Sequence, residues 1–191
     1  MPLAAAASTC GSCLTTPPPF DAALAAVDYR APWDRLVAAF KFHGALDLAA
    51  AFADAIVAAE RRRAGPRPSL VLPVPLARAR WRERGYNQAW ELARRVARRL
   101  GLVAEPELLL RMRDTAHQLA LPLADRAGNV RGAFAVEPRR RAELRGRHVA
   151  IVDDVMTTAS TAAEIAAVVR QAGATTVEIW VLARTPRPGD A

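Results

Sequence analysis

Apolar and polar residues are grouped along this chain into short apolar runs and longer segments of helical character. Four short runs, rich in Val, Leu and Ile, have the length of strands and are predicted at 70–75, 108–112, 149–152 and 177–182. Four longer segments are predicted to be helices, at 33–42, 45–63, 88–100 and 161–172. Because strands that alternate with helices are typical of an α/β fold, we predict a mainly parallel sheet flanked by helices.

Length and composition indicate one folded domain with a short tail. The 191 residues are 52% hydrophobic and 24% charged, which is the composition of a globular protein. Residues 1–20 are rich in Ala, Thr and Pro and are interpreted as an N-terminal tail, and residues 21–191 are expected to form the domain. No apolar run approaches the roughly 18 residues of a membrane span, and no basic segment precedes the first alanines. We therefore expect no membrane insertion and a cytoplasmic location.

The charge pattern favours negatively charged ligands. The formal net charge is +8, and Lys41 is the only lysine, so nearly all basic residues are arginines. The arginine fork matches phosphate oxygens, which makes a diphosphate or a nucleic acid a suitable partner. A GC-rich genome produces the same bias towards Arg and Ala, so the charge alone does not distinguish these interpretations.

The two cysteines, Cys10 and Cys13, form a C-x-x-C pair, which is half of a zinc ribbon. The chain has no second pair to complete such a site, and no βαβ pattern surrounds the pair as in thioredoxin-like redox motifs. We therefore interpret residues 1–20 as carrying the remnant of a zinc ribbon, and we do not expect zinc to bind.

The run at 149–152 is followed by the most informative residues of the chain. Asp153 and Asp154 come directly after the predicted strand, and hydroxyl residues lead from there towards the predicted helix at 161–172. Ligands bind at the carboxyl ends of strands in open α/β sheets, and helix N-termini bind anions. A ligand with a diol and a phosphate, such as a ribose 5-phosphate, satisfies both. Helix capping is the alternative, but a cap needs one such residue, whereas this turn has two carboxylates and four hydroxyls within nine positions.

A basic segment follows the run at 70–75, and it contains Arg78, Arg80, Arg82, Arg84 and Gly85. We predict a basic loop at the same sheet edge as Asp153, because both segments follow parallel strands. Such a loop would neutralise a diphosphate leaving group, with Arg84 as a candidate catalytic residue, and Gly85 would let the backbone approach the ligand. A solvated charged loop is the alternative.

The segment after the strand at 108–112 is long and polar, and we predict that it is a lid that excludes water. The lid residues are Arg113, Thr115, His117 and Gln118, and the last three could meet an incoming nucleophile. His117 carries little weight by itself, because a single loop histidine is more often exposed than catalytic. A short helix is predicted at 123–129.

Residues 153–161 resemble the phosphoribosyl diphosphate (PRPP) motif of type I phosphoribosyltransferases. The resemblance implies that Asp153 and Asp154 contact the ribose 2′- and 3′-hydroxyls and serve in catalysis. It also implies that the 5′-phosphate is held by Thr157, Thr158, Ala159, Ser160 and Thr161. The motif usually has glycine at the position of Ala159, where positive φ and close backbone approach are useful.

Four motifs in the same order resemble the ComF family over nearly the whole chain from Pro17, and they lie at 78–89, 111–121, 126–134 and 153–158. The resemblance implies a type I phosphoribosyltransferase-like fold, a similarity to amidophosphoribosyltransferases and a link to DNA uptake during natural competence. Full-length members typically begin with a Cys-rich zinc ribbon, to which only Cys10 and Cys13 correspond here.

An enzyme of this kind would replace the diphosphate at ribose C1 of PRPP, with Mg²⁺ on the phosphate and hydroxyl oxygens. In the purine-salvage enzymes of this type, a carboxylate three positions after the second acidic residue acts as base. Thr157 stands there in this chain, and because its hydroxyl is a poor base at neutral pH, we expect an amine-type acceptor.

Two alternatives to catalysis remain at this point. One is a protein that senses PRPP or handles single-stranded DNA, using the arginine face of the helix at 88–100, the basic loop, Trp81 and Tyr86. The other is a protein-interaction module of the competence machinery, for which the sequence offers no test.

Overall fold

The computed structural model of the protein describes residue 13 and residues 15–113 and 130–186. Its elements follow one another as β1 (Ala22–Asp28), α1 (Trp33–Phe42), α2 (Leu48–Arg61), β2 (Leu70–Pro73), α3 (Arg78–Arg84), α4 (Gln88–Leu100), β3 (Val103–Ala104), β4 (Leu109–Arg111), β5 (Phe134–Val136), a 3-10 helix (Pro138–Leu144), β6 (His148–Met156), α5 (Ser160–Gln171) and β7 (Thr176–Arg184). None of the helices in the described ranges has both the length and the apolar character that a membrane span requires.

Five of the described strands form one parallel sheet in the order β1-β7-β6-β2-β3. The strand β6 lies in the middle, between β7 and β2, so its carboxyl end is flanked by the ends of both neighbours. The predicted α/β fold with a mainly parallel sheet is confirmed. A separate antiparallel ribbon is formed by β4 and β5.

The two faces of the sheet are covered by different helices. Val149 and Ile151 of β6 pack into a core with α5 and the β4–β5 ribbon, whereas Ala150 and Val152 pack into a core with α1, α2 and α4. Successive side chains of a strand point to opposite faces. Asp153 therefore lies on the face of Val149 and Ile151, and Asp154 lies on the face of Ala150 and Val152.

The amphipathic segments were predicted most accurately. The helices at 33–42 and 88–100 are confirmed residue for residue as α1 and α4. The other two are shorter or shifted, because α2 begins only at Leu48 and α5 begins at Ser160 rather than at 161.

Several predicted elements are wrong in place or extent. The basic loop after β2 is the helix α3, and the strand at 108–112 belongs to the β4–β5 ribbon instead of the main sheet. The strand predicted at 149–152 continues to Met156, so Asp153 and Asp154 lie within β6 and not after it. The strands β1, β3 and β5 were not predicted, and alanines make up four of the seven residues of β1.

The N-terminal segment before β1 lies against the domain. The Arg170 guanidinium donates to the carbonyl oxygen of Pro19 at 2.7 Å, and Phe20 packs against the core on the α5 side of the sheet. The division of the chain at residues 20 and 21 stays a prediction. Cys10 and the short helix predicted at 123–129 lie outside the described residues.

Candidate functional site

The acidic pair, Asp153 and Asp154, stands near the carboxyl end of the central strand β6. Asp154 is buried, with 5% of its surface exposed, and its Oδ1 lies 2.9 Å from the Lys41 ammonium. Asp153 is only partly buried, and its Oδ1 accepts the backbone N–H of Asp154 at 2.9 Å. The two carboxylates are therefore held on opposite faces of the strand and in different surroundings.

The pKa values of this cluster reflect its burial and its charges. Burial and the neighbouring charge of Asp154 raise the pKa of Asp153 to about 7, although Lys41 and Arg111 act in the opposite direction. Burial alone would lower the pKa of the Lys41 ammonium, but the charges of Asp154 and Asp153 outweigh it and hold that pKa above its ordinary value. The acidic pair thus holds a proton more readily than two isolated aspartates would.

Three consecutive residues at the end of α1, Phe40, Lys41 and Phe42, connect the acidic pair to the basic helix; we call them the α1 platform. The hydroxyl of Tyr86 donates to the carbonyl oxygen of Phe40, Lys41 binds Asp154, and the Arg84 guanidinium lies over the Phe42 ring at 4.9 Å. Sequence reasoning missed this platform. The signal that was available is the single lysine in a chain of arginines.

The helix α3 divides the four predicted diphosphate ligands into two pairs, since residues four positions apart share a helix face. Arg78 and Arg82 are exposed and line a groove, whereas Arg80 and Arg84 are partly buried. Burial and the charge of Arg80 lower the pKa of Arg84, and the charge of Asp154 acts against this. The structure therefore brings Arg84 towards Asp154, with Arg80 close to Arg84, whereas Arg78 and Arg82 face the groove.

The residues between α3 and α4 connect the end of β2 to the start of α4. Gly85 has φ of 76° and ends the helix in the left-handed conformation that glycine tolerates. The side chain of Asn87 accepts the N–H of Ala89 at 3.0 Å and so caps α4, while its amide donates to the carbonyl of Val74 at 3.1 Å. Together these contacts tie the end of β2 to the start of α4.

The loop of residues 157–161, here called the Thr-rich loop, leads from β6 into α5 and encloses a small cavity. Ala159 has φ of 62° and ψ of 6°, in the left-handed region, and is the non-glycine residue of the described chain with positive φ. The hydroxyls of Thr158 and Ser160 lie 3.0 Å apart. No side chain of the described residues caps α5, so the N–H groups of its first turn and its positive dipole end face the loop.

A wide groove of about 1350 Å³ runs between α3, the β4–β5 ribbon and the 3-10 helix. We call it the arginine groove, after the six arginines that line it: Arg78, Arg82, Arg111, Arg113, Arg139 and Arg140. Trp81 and Met112 also line it and are 56% and 60% exposed. Three of its basic side chains are engaged: Arg140 binds Glu105 and Glu143, Arg113 donates to the carbonyl of Arg131, and Arg111 donates to the carbonyl of Arg113.

The predicted lid begins at the end of the β4–β5 ribbon. Arg111, the last residue of β4, has its guanidinium 5.3 Å from the centre of the Phe134 ring, and its charge lowers the pKa of Asp153. Arg113 lies at the base of the lid. Thr115, His117 and Gln118 lie outside the described residues, so their role stays a prediction.

Three of the four arginines on the arginine face of α4 form ion pairs, and the fourth, Arg98, is exposed. Arg94 and Arg95 bind Glu91, and Arg99 binds Asp54. Because Tyr86 is also partly buried and bound to α1, most of the side chains predicted to bind single-stranded DNA on this helix are engaged within the protein. Trp81 faces the arginine groove instead.

The donors present are compatible with Mg²⁺ that arrives with a phosphate ligand. No group of three or more His, Cys, Asp or Glu residues able to hold a metal occurs among the described residues. Mg²⁺ commonly keeps several waters and is bound largely through substrate phosphates, so a dedicated protein cage is not required here.

Comparisons with known proteins place the chain among phosphoribosyltransferase relatives. The model of the phosphoribosyl transferase domain family matches residues 87–190. The chain is 39% identical over 181 residues to the DNA utilization protein YhgH of Salmonella typhi, with 92% of this chain and 78% of that protein covered. It is 34% identical over 182 residues to competence protein F of Haemophilus influenzae, with 93% and 79% covered.

Among solved structures, the fold is similar to a glutamine phosphoribosylpyrophosphate amidotransferase from B. subtilis complexed with ADP and GMP. The TM-score is 0.46 at 22% identity, and the match covers 70% of this chain and 26% of that enzyme. The chain thus spans about a quarter of the length of that enzyme.

Proposed function

Since this chain belongs to the phosphoribosyl transferase domain family, with competence protein F and the YhgH proteins as relatives, we propose that it binds PRPP. We further propose that it transfers the phosphoribosyl group to an amine-type acceptor. Its relatives are named for DNA utilization and competence, and we place the activity in that context.

The arrangement at the carboxyl end of β6 supports the proposal most strongly. The acidic pair on β6 is followed at once by the Thr-rich loop and the uncapped N-terminus of α5. This arrangement offers carboxylate acceptors for ribose hydroxyls and N–H donors for a phosphate within one short segment. Asp153 shares its face of the sheet with α5, so a single ligand can meet both.

In the proposed reaction the bond from ribose C1 to the diphosphate breaks and a bond to the acceptor nitrogen forms. The ribose hydroxyls bind at the strand end that carries the acidic pair, and the 5′-phosphate binds at Thr157, Thr158, Ala159, Ser160 and Thr161. Arg84 and Arg80 neutralise charge that develops on the departing diphosphate. Among the described residues the Nε of Arg84 is buried without a hydrogen-bond partner, which suits an anion that arrives with the ligand. Mg²⁺, when bound, withdraws charge from the phosphate oxygens.

The acceptor class follows from the residue that stands at 157. Thr157 lies three positions after Asp154 and offers a hydroxyl instead of a carboxylate. Since a hydroxyl is a poor base at neutral pH, an acceptor whose nitrogen already carries a free electron pair fits this site best. The predicted lid, with Arg113, Thr115, His117 and Gln118, would exclude water that competes with the acceptor.

Calorimetric titration with PRPP in the presence of Mg²⁺ tests the binding step. We expect the wild type to bind, and Asp153→Ala/Asp154→Ala to lose binding while an exposed control, Asp47→Asn, retains it. Binding that survives in the double variant would refute the placement of the site, and absence of binding by the wild type would refute the function. Release of diphosphate on addition of ammonia then separates an enzyme from a PRPP sensor.

A second candidate function is binding of single-stranded DNA, and the arginine groove is the observation that favours it. Its volume of about 1350 Å³ exceeds the roughly 300–1,000 Å³ of small-ligand pockets. Exposed Trp81 offers a surface on which a base can stack, next to Arg78 and Arg82 for the backbone phosphates.

Fluorescence anisotropy with a labelled oligonucleotide tests the second function. Trp81→Ala is expected to weaken binding at all salt concentrations, and Arg82→Gln to weaken it and reduce the dependence on salt. Arg98→Gln, on α4 and outside the groove, is the control. Equal losses in all three variants would show that binding depends on net charge and not on the groove.

A further inference from the structure

Lys41 is the single lysine among 27 basic residues. Every other basic position holds arginine, so the bias of the chain favours arginine here as well. Arginine presents a wide planar fork, whereas lysine presents a compact point charge. The lysine at this position indicates that the site requires a small cation.

We propose that Lys41 is a positioning residue for the acidic pair. Its ammonium holds Asp154 on the α1 face of the sheet and leaves Asp153 as the carboxylate that meets the ribose hydroxyls. This inference rests on the proposed function. The resemblance implies that both aspartates contact the ribose hydroxyls, whereas we assign that contact to Asp153 and the ion pair with Lys41 to Asp154.

The geometry of the two faces supports this division. The Lys41 ammonium and Asp154 Oδ1 lie 2.9 Å apart on the α1 side of β6, and only 7% of the Asp154 side chain is exposed. Asp153 follows Val149 and Ile151 on the opposite face, where α5 and the β4–β5 ribbon pack. The N-terminus that would hold the phosphate thus lies on the Asp153 face and not on the Asp154 face.

The α1 platform explains why the ammonium has a fixed place. The carbonyl oxygen of Phe40 accepts a hydrogen bond from the hydroxyl of Tyr86, and the Arg84 guanidinium lies over the Phe42 ring. Both neighbours of Lys41 in sequence are therefore anchored to the segment that follows β2. This anchoring positions Lys41 before any ligand binds.

The charge of Lys41 also compensates the negative charges of the acidic pair. Asp154 is faced by Lys41, Asp153, Arg84 and Tyr86, and Lys41 is also faced by Tyr29. If Lys41 is removed, two adjacent carboxylates share the strand end, and one of them takes up a proton. Arg84 is then the remaining cation for Asp154, and an Arg84 side chain drawn to Asp154 is lost to the diphosphate.

The test measures the Kd for PRPP with Mg²⁺ from pH 6 to pH 9 in the wild type, Lys41→Met and Lys41→Arg. We expect Lys41→Met to weaken binding at least tenfold at pH 7 and to shift the midpoint of its pH dependence upwards by about one pH unit or more. Lys41→Arg, which keeps the charge but adds bulk, should keep the wild-type midpoint with weaker binding.

A matched control separates positioning from stability. Arg63 and Glu178 form an ion pair at 2.6 Å with side chains 22% and 5% exposed, close to the 24% and 7% of Lys41 and Asp154. Glu178 lies on β7, away from the Thr-rich loop. Arg63→Met should lower the melting temperature but leave the Kd and its pH midpoint unchanged. An unchanged midpoint in Lys41→Met, or equal losses in both variants, would overturn the proposal.

A double variant tests the division between the two aspartates. Lys41→Met/Asp154→Asn removes both charges of the pair, so Asp153 keeps its carboxylate without an uncompensated neighbour. We expect it to recover most of the PRPP binding lost in Lys41→Met. No recovery would show that Asp154 itself must touch the ligand, and this would overturn the division. A wild type that binds no PRPP would instead refute the proposed function on which the inference rests.

Discussion

Ala159 has an unfavourable backbone conformation, and it lies in the loop that we propose to hold the 5′-phosphate. It stands where the resembled motif usually has glycine, and its φ of 62° and ψ of 6° are those of the left-handed region. A side chain there costs about 1 kcal/mol or more. Strain of this kind is typical of ligand-binding turns, where the surrounding structure maintains it.

Replacement of Ala159 by glycine should therefore increase the free energy of unfolding by about 1 kcal/mol. Urea denaturation measures the change. Ala163→Gly, in the regular part of α5, is the control and should lose about 1 kcal/mol because glycine is a poor helix former. If both substitutions lower stability equally, the conformation assigned to Ala159 is wrong.

Asp153 makes stability depend on pH in an unusual direction. Its pKa in the folded protein is about 7, above the ordinary 3.8, so the folded state holds this proton more tightly than the unfolded chain does. The contribution to stability is complete below 3.8 and is lost as the pH rises towards 7.

Asp153→Asn should accordingly stabilise the ligand-free protein by up to about 4 kcal/mol at pH 8 and by little at pH 4. Denaturation curves at both values measure this difference, with Asp47→Asn as an exposed control. A gain that is the same at both pH values would contradict the assigned pKa.

At the scale of elements, amphipathic helices were predictable and polar strands were not. The periodic apolar face of α4 identified its bounds, because a helix that packs on a sheet must show that period. The run of arginines at α3 lacks buried residues, so its pattern gave no helical signal. The strand β6 continues through Asp153 and Asp154 because β7 still pairs with it there, beyond Val152, where the pairing with β2 ends. Such pairing is not visible in one sequence.

The contact between Asn87, β2 and α4 gives a prediction at this scale. Asn87→Ala should lower the free energy of unfolding by about 1 to 2 kcal/mol, because it removes both the cap and the bond to Val74. Asn87→Ser keeps an oxygen for the cap and should lose roughly half as much. Thermal or urea denaturation distinguishes them, and equal losses would show that the cap contributes little.

At the scale of the whole molecule, the candidate site is assembled from segments far apart in the chain. The acidic pair and the Thr-rich loop were recognisable, since their chemistry lies in consecutive residues. Lys41 was not, because the parallel sheet brings the end of α1 to β6 only after folding. The helix α3 separates Arg78 and Arg82 from Arg80 and Arg84, and their spacing predicts this division only if the segment is known to be helical.

A crystal structure with PRPP and Mg²⁺ would show whether PRPP binds at the carboxyl end of β6, as we propose. We expect the 5′-phosphate on the backbone N–H groups of residues 157–161 and a ribose hydroxyl within about 3.2 Å of Asp153. PRPP bound instead in the arginine groove, with Asp153 free of contact, would contradict this proposal.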